Sequence, residues 1–249
     1  MTAIPERRHE TVTRFRRPGG ATTASVEDVE HLAVCDVVIP CRDEAAALPL
    51  VLAALPYGFR AIVVDNGSSD GTADVARRLG AIVVDEPCPG YGAAVHAGVL
   101  AATSELIAVV DGDDSMDLGD LPGLLHAVVD DDVAMAVGRR RPVRRGVWPW
   151  HARVGTTLLA TWLRRSSGLG VHDLAPMRVC RREDLLALDV RDRRFGYPLE
   201  LMLKAARAGW TVREIDIAYR PRAAGTRSKV SGSLRGTAQA AHDFLGVLR

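Results

Sequence analysis

Val109-Val110-Asp111-Gly112-Asp113-Asp114-Ser115-Met116-Asp117 sets four carboxylates within seven residues, directly after an apolar run. Acids this close repel one another unless a cation lies among them, and hard oxygen ligands on such a loop suit Mg2+ or Mn2+ shared with substrate phosphates. A solvated acidic loop is the plainer alternative. Three further polar stretches follow short apolar runs. In Ile39-Pro40-Cys41-Arg42-Asp43-Glu44 the run is expected to stop at Pro40, and Glu44 either accepts from a ribose hydroxyl or is an acid favoured by a helix start. In Val63-Val64-Asp65-Asn66-Gly67-Ser68-Ser69-Asp70-Gly71-Thr72, Ser69 or Asp70 can cap the next helix. That leaves Asp65 spare to accept from the imino N–H of a nucleobase. Pro87-Cys88-Pro89-Gly90-Tyr91-Gly92 opens a helix, and its glycines would bring backbone amides to a diphosphate with the helix dipole assisting. It lacks the GxGxxG order of a dinucleotide site.

Positioning such groups requires a scaffold that ends several strands side by side. Apolar β-prone runs at Ala33–Ile39, Arg60–Val64, Ala81–Val84, Leu106–Val110 and Val133–Val137 alternate with helical patterns at Glu44–Leu55, Asp70–Leu79, Tyr91–Ala102 and Leu121–Val129. Near-continuous apolar strands separated by helices predict an α/β fold whose parallel sheet is covered on both faces. Right-handed crossovers make that sheet doubly wound. Its ligands bind beyond the carboxyl ends of the strands, where all four polar stretches fall. The second half is less regular. A basic turn at Arg139–Arg145 precedes Trp148-Pro149-Trp150 and a helix near Val154–Arg165; a strand near Ala175–Cys180, a helix at Pro198–Ala208 and a strand at Thr211–Tyr219 follow. Pro221 to Gly232, rich in Gly, Arg and Ser, suits a mobile loop, and a last helix runs from about Leu234 to Leu248 with an apolar stripe read as core. The expected division is a mobile leader at 1–32, a nucleotide-sugar-binding half at 33–138, and a smaller acceptor-binding region at 139–249.

The 249 residues carry a net charge of only +1, but residues 1–138 hold nine Lys and Arg against 22 Asp and Glu, and residues 139–249 hold 23 against nine. Such segregation suggests that the first half handles a cation and the second an anionic partner or surface. The four cysteines, Cys35, Cys41, Cys88 and Cys180, form no CxxC pair and read as reduced thiols of a cytoplasmic protein. No apolar run approaches the roughly 18 residues that span a bilayer. The arginine-rich start lacks the apolar core of a secretory signal. A nucleic-acid partner is not expected; peripheral contact with the inner face of a membrane and a homodimer are both admitted.

The order of these stretches resembles family 2 glycosyltransferases of GT-A fold. Val171-His172-Asp173-Leu174-Ala175-Pro176-Met177-Arg178, the helix bearing Glu200, and Tyr219…Arg222…Gly225…Ser228-Lys229 look like the polyprenyl- or dolichyl-phosphate sugar transferases. The resemblance implies a nucleoside-diphosphate sugar donor of UDP or GDP type. Asp65 would read the base, with Pro40, Arg42 and Glu44 about the ribose, and Asn66, Gly90, Gly92, Gly112, Arg222 and Ser228 would complete the donor site. Asp113 would ligate the metal, and Asp111 the metal or the ribose. Ser115 stands where that branch often has Gln, Asn66 replaces a common second Asp, Asp114 is an extra acid, and the Gly225–Ser228 gap is one residue longer than usual.

Such enzymes invert the anomeric centre by direct displacement, with the metal neutralising the leaving diphosphate. An alcohol acceptor also needs a general base, often the Asp of a Glu-Asp pair before a helix; here Asp173 is the candidate, and Glu183-Asp184 falls within a helix. A phosphate acceptor needs cations instead, for which Arg139, Arg178, Arg222 and Lys229 are candidates. The acceptor expected is therefore anionic, a polyprenyl phosphate. The alternatives are a small soluble acceptor (a phosphorylated acid or a natural-product alcohol), a nucleotidyltransferase, for which the Gly-x-Gly-x-Arg signature is missing, and a silent binding module, against which Asp111 and Asp113 argue.

Overall fold

The structure, a computed structural model, describes residues 34–131 and 133–224. Its first half alternates β1 (Cys35–Cys41), α1 (Leu48–Ala53), β2 (Phe59–Asp65), α2 (Thr72–Arg78), β3 (Ile82–Asp85), α3 (Tyr91–Ala101), β4 (Leu106–Val109) and α4 (Leu121–Val129). There follow β5 (Met135–Pro142), α5 (Trp150–Ser167), β6 (Arg178–Arg181), α6 (Arg182–Ala187), α7 (Tyr197–Arg207) and β7 (Val212–Tyr219). These form one seven-stranded sheet of order β3-β2-β1-β4-β6-β5-β7. Six strands share a direction; β6 alone runs antiparallel, between β4 and β5. The α/β class and the mostly parallel, doubly covered sheet are as the apolar strands predict.

The strands are apolar throughout because both faces are covered. Alternate side chains of one strand enter opposite cores. Val38, Ile62 and Val64 pack with Ala94, Val95 and Val99 of α3, Leu163 of α5 and Leu199 and Met202 of α7. Val37, Ile39 and Val63 pack with Leu48 and Val51 of α1, Ala76 of α2 and Leu121 and Leu124 of α4.

Several boundaries differ from the sequence reading. β1 passes through Pro40 to Cys41. Cys41 accepts from the Asn66 amide on the β2 side, so the backbone of Pro40 faces β4, whose pairing with β1 has ended at Val109; no ladder donor is needed there. The first helix starts at Leu48 rather than Glu44, because the loop before it is tied to the β2–α2 turn. Arg139–Pro142 of the expected basic turn extend β5 alongside β7, so Gly138 lies within a strand. The leader, Gly225, Ser228, Lys229 and the last expected helix lie outside the described residues.

Candidate active site

Parallel register brings the ends of β1, β2 and β4 together. Cys41 pairs with Asp65, and Val110 bonds back to β1 through the Val38 carbonyl at 3.1 Å. Antiparallel β6 then begins at this same edge, with Arg178 opposite Val109 and opposite Val137 of β5. Asp65, Asp111, Asp113, Arg139, Arg140, Arg178 and Arg222 therefore gather at one edge from chain positions far apart. Glu183 and Asp184 go to the other edge, since β6 carries the chain from Arg178 down to Arg181, opposite Leu106.

The two loops on the β1–β2 side are laced together. The amide of Asp43 donates to Ser68 Oγ (2.9 Å), that of Glu44 to Thr72 Oγ1 (2.9 Å) and that of Ala45 to Asp70 Oδ2 (3.0 Å). Asp70 also accepts from the Thr72 amide at 3.0 Å, so it is the acid spent on the helix start. Asp65 keeps its carboxyl half-exposed with one long bond, 3.3 Å from the Ser68 amide. Glu44 is buried and Arg42 exposed. Burial pushes the Cys41 thiol well above its ordinary value, and Glu44, Asp65, Asp113 and Asp111 push it further, which registers how strongly negative this strand end is.

Asp113 is 2% exposed. Its Oδ1 accepts from the Ser115 amide at 2.9 Å, and its Oδ2 faces Arg222 Nη1 as an ion pair without a well-directed hydrogen bond. The segment after β7 is held over this loop: the Arg220 amide donates to Ser115 O (2.8 Å) and that of Ala223 to Asp113 O (3.1 Å). Asp111 lies deep yet partly open to solvent. Burial and the neighbouring Asp113 charge push its carboxyl up to about 6, against the pull of Arg222, Arg140 and Arg178. Two crowded acids, one with an oxygen poorly served by protein donors, fit a hard divalent cation completed by phosphate oxygens and water. Among the described residues no group of three or more His, Cys, Asp and Glu side chains makes an all-protein cage.

Three sequence expectations are corrected here. The glycine-rich turn does not form a diphosphate cradle. The Gly90 amide donates to Asn66 Oδ1 at 2.8 Å, and those of Gly92 and Ala93 to the carbonyls of Arg194 (3.1 Å) and Arg193 (2.8 Å). Its glycines exist for contact: a Cβ on Gly90 would sit 2.1 Å from the Arg193 oxygen and one on Gly92 2.4 Å from that of Asp192. Asn66 is likewise committed, its amide donating to the carbonyls of Glu86 (2.9 Å) and Cys88 (2.8 Å). Gly112 also has a packing reason to be glycine, since a Cβ there would lie 2.6 Å from Cys41 Sγ; that leaves its backbone open to the expected donor role.

Asp173 is the third, and it is no free base. Its oxygens accept from Arg140 Nε (2.8 Å), Arg140 Nη2 (2.6 Å), the Arg140 amide (3.0 Å) and the Leu174 amide (2.7 Å). Four donors occupy a carboxylate's four lone-pair sites. Glu214 of β7 pins the same loop by accepting from the amide of Asp173 (3.0 Å) and the ring of His172 (2.8 Å). Arg140, unremarked in the sequence reading, also stacks 4.0 Å from the Trp148 ring centroid. The WPW stretch was the available signal; the partner 33 residues away was not visible.

Arg178 is the opposite case. It is 1% exposed, and among the described residues no carboxylate lies within ion-pair distance. Nη1 donates to Ala175 O (3.0 Å) and Nη2 to Tyr91 Oη (3.3 Å), Nε has no partner, and the Tyr91 and Tyr197 rings flank it at 5.9 and 5.5 Å. Buried charge is costly unless compensated; with no paired acid, Arg178 depends on the field of Asp111 one strand away, which favours its charged form against burial.

Residues 36–185 match the model of glycosyl transferase family 2, and the chain belongs to that family. It is 59% identical over 212 residues to an uncharacterized glycosyltransferase of Mycobacterium tuberculosis, covering 85% of this chain and 96% of that one. It is 32% identical over 216 residues to the polyprenol monophosphomannose synthase of Mycolicibacterium smegmatis, covering 79% and 81% respectively. The glucosyl-3-phosphoglycerate synthase of M. tuberculosis, solved with Mn2+, UDP and glucosyl-3-phosphoglycerate, shares the fold with a TM-score of 0.68 at 21% identity, over 94% of this chain and 85% of that one.

Proposed function

We propose that this glycosyltransferase moves a hexosyl group from a nucleoside-diphosphate sugar to an anionic acceptor, a polyprenyl phosphate, with inversion at the anomeric carbon. The observation that carries the reading is the charge arrangement at the carboxyl edge. Asp173 is spent on Arg140, whereas Arg178 is buried with no acid of its own. An alcohol would need a base there; a phosphate arrives already ionised and needs a cation. The acceptor oxygen bonds to the anomeric carbon as the carbon–diphosphate bond breaks, and the electron pair leaves on the nucleoside diphosphate. No proton moves.

Asp65 would accept from the base, Pro40, Arg42 and Glu44 would border the ribose, and Asp111 and Asp113 would hold Mg2+ or Mn2+. Bound there, the cation would neutralise charge on the departing diphosphate. Arg178 would add a fixed positive group, at no reorganisation cost during reaction. Arg222, now on Asp113, would be released to phosphate as the cation takes that oxygen. Arg139 is assigned to the acceptor side, as is Lys229, while Ser228 is assigned to the donor; Ser228 and Lys229 lie outside the described residues. The name of the mycobacterial polyprenol relative supports the lipid acceptor. The phosphoglycerate in the structural neighbour gives a second reading, a small phosphorylated acid, which calls for the same cations. The division into donor and acceptor halves, and a cytoplasmic site at the membrane's inner face, belong to the same proposal.

The purified protein with Mn2+ and labelled UDP- or GDP-sugars should glycosylate a short-chain polyprenyl phosphate in preference to phosphoglycerate or a neutral alcohol. Efficient transfer to the alcohol, with no turnover of either phosphate, would overturn the proposal.

A further inference from the structure

α5 begins beside the site and turns one apolar side outward. Ala160 and Leu163 are buried at 1% and 0%, and the helix packs on α7. On the other side Trp150 is 77% exposed, Val154 49%, Leu158 67% and Trp162 38%. These four recur at every fourth residue, a stripe winding slowly across the open face. Trp150, Val154 and Leu158, with Arg153 and Thr157, line a shallow surface groove that is almost wholly apolar.

The charges around the stripe are of one sign. Residues 139–172 contain eight arginines and no Asp or Glu. Arg139, Arg140 and Arg141 pair with Glu214, Asp173 and Asp216. Arg144, Arg145, Arg153 and Arg165 are exposed, and among the described residues no acid pairs with them. An apolar stripe edged by Trp and unpaired Arg matches an anionic bilayer surface, which takes indole and aliphatic groups at the headgroup boundary and attracts guanidinium. Among the described residues no helix is long and apolar enough to cross a membrane, so the contact is one of lying on the surface. The stripe also connects to the site: two residues before Trp150, the Trp148 ring meets Tyr219 at 5.7 Å and carries Arg140, the partner of Asp173.

We infer that the exposed face of α5 docks the protein on an anionic membrane surface, so that the carboxyl edge of the sheet meets a phosphate anchored in that membrane. The inference rests on the lipid-phosphate reading above and names the surface that would serve it.

The test is sedimentation of the full chain with vesicles of phosphatidylcholine alone or mixed with phosphatidylglycerol, for wild type and for L158E. Leu158 is exposed, so the variant folds, which circular dichroism verifies. Wild type should bind the mixed vesicles and release in high salt. L158E should bind at least about tenfold more weakly, because it loses one buried aliphatic group and gains a repelled charge. R153Q should lose about fivefold through the charge alone. Both variants should keep wild-type transfer to short-chain acceptor in solution and lose it only with long-chain acceptor in vesicles. Failure of wild type to bind mixed vesicles, or equal binding by L158E, overturns the docking surface. A wild-type dimer that L158E dissociates, without vesicle binding, makes the stripe an interface between copies and also overturns it. Vesicle binding that L158E abolishes, with no transfer to any lipid phosphate, retains the surface and sinks the acceptor reading instead.

Discussion

Replacing Asp173 by Asn separates a structural anion from a catalytic base. The side chains of Asp173 and Arg140 are 2% and 17% exposed, so the substitution leaves a guanidinium largely buried without its counter-charge. Removing one member of a buried pair costs about 3–5 kcal/mol, and the lower end applies because Arg140 keeps some access to water and its stack on Trp148. In a domain of this size about 3 kcal/mol lowers the melting temperature by about 6–12 °C. The assay is thermal unfolding of wild type, D173N, R140M and the double variant. In the R140M background D173N should cost under about 1 kcal/mol, since the charge it neutralised is gone and an amide oxygen still serves the backbone donors. D173N should retain activity with a phosphate acceptor in proportion to the folded fraction. A D173N protein that melts with wild type but loses transfer by orders of magnitude would refute the reasoning and restore Asp173 as the base.

D113A should reduce transfer by about a hundredfold or more while the fold persists, and full activity in that variant, or in EDTA, would remove the metal from the mechanism. Asp111, pushed up to about 6 from an unfolded value of 3.8, binds its proton more tightly in the folded state. Its contribution favours folding at low pH and is lost as pH rises from about 4 through 6. The metal-free protein should therefore gain melting temperature at pH 7 on D111N, with the gain vanishing below pH 4, while Mn2+ affinity of wild type, read by calorimetry, weakens as pH falls through 6; a D111N that melts lower at pH 7 contradicts the crowding. G90A, where φ is 152° and Cβ would meet the Arg193 oxygen at 2.1 Å, should cost at least about 3 kcal/mol. G155A on α5, with nothing within 4 Å, should instead stabilise by about 0.5–1 kcal/mol; equal melting temperatures for the two would refute the packing account.

The strand ends of the first half were legible in the sequence because each of their signals is local. A strand, its tip and the next helix are consecutive in the chain, so Asp65 and Asp111 could be placed at strand ends from apolar runs alone. The limits of that reading are equally physical. A glycine permits a close backbone approach but does not say to what. Gly90 and Gly92 accommodate the chain at residues 192–194 rather than a diphosphate, and Asn66, placed on the donor by resemblance, fastens the same turn.

Sequence alone determined the class of fold and the placing of the Asp111–Asp117 acids at a strand end, since periodicity and adjacent charge are properties of the chain itself. Tertiary structure decided the second half. One reversed strand, β6, carries Arg178 to the active edge and Glu183-Asp184 to the opposite one, and its direction depends on pairing with β4 and β5, not on any residue within it. Arg140 claims Asp173 across 33 residues, and Arg222 reaches Asp113 from the far end of β7. Such pairings join residues distant in the chain, so which acid remains free and which cation remains unpaired could be decided only by the fold.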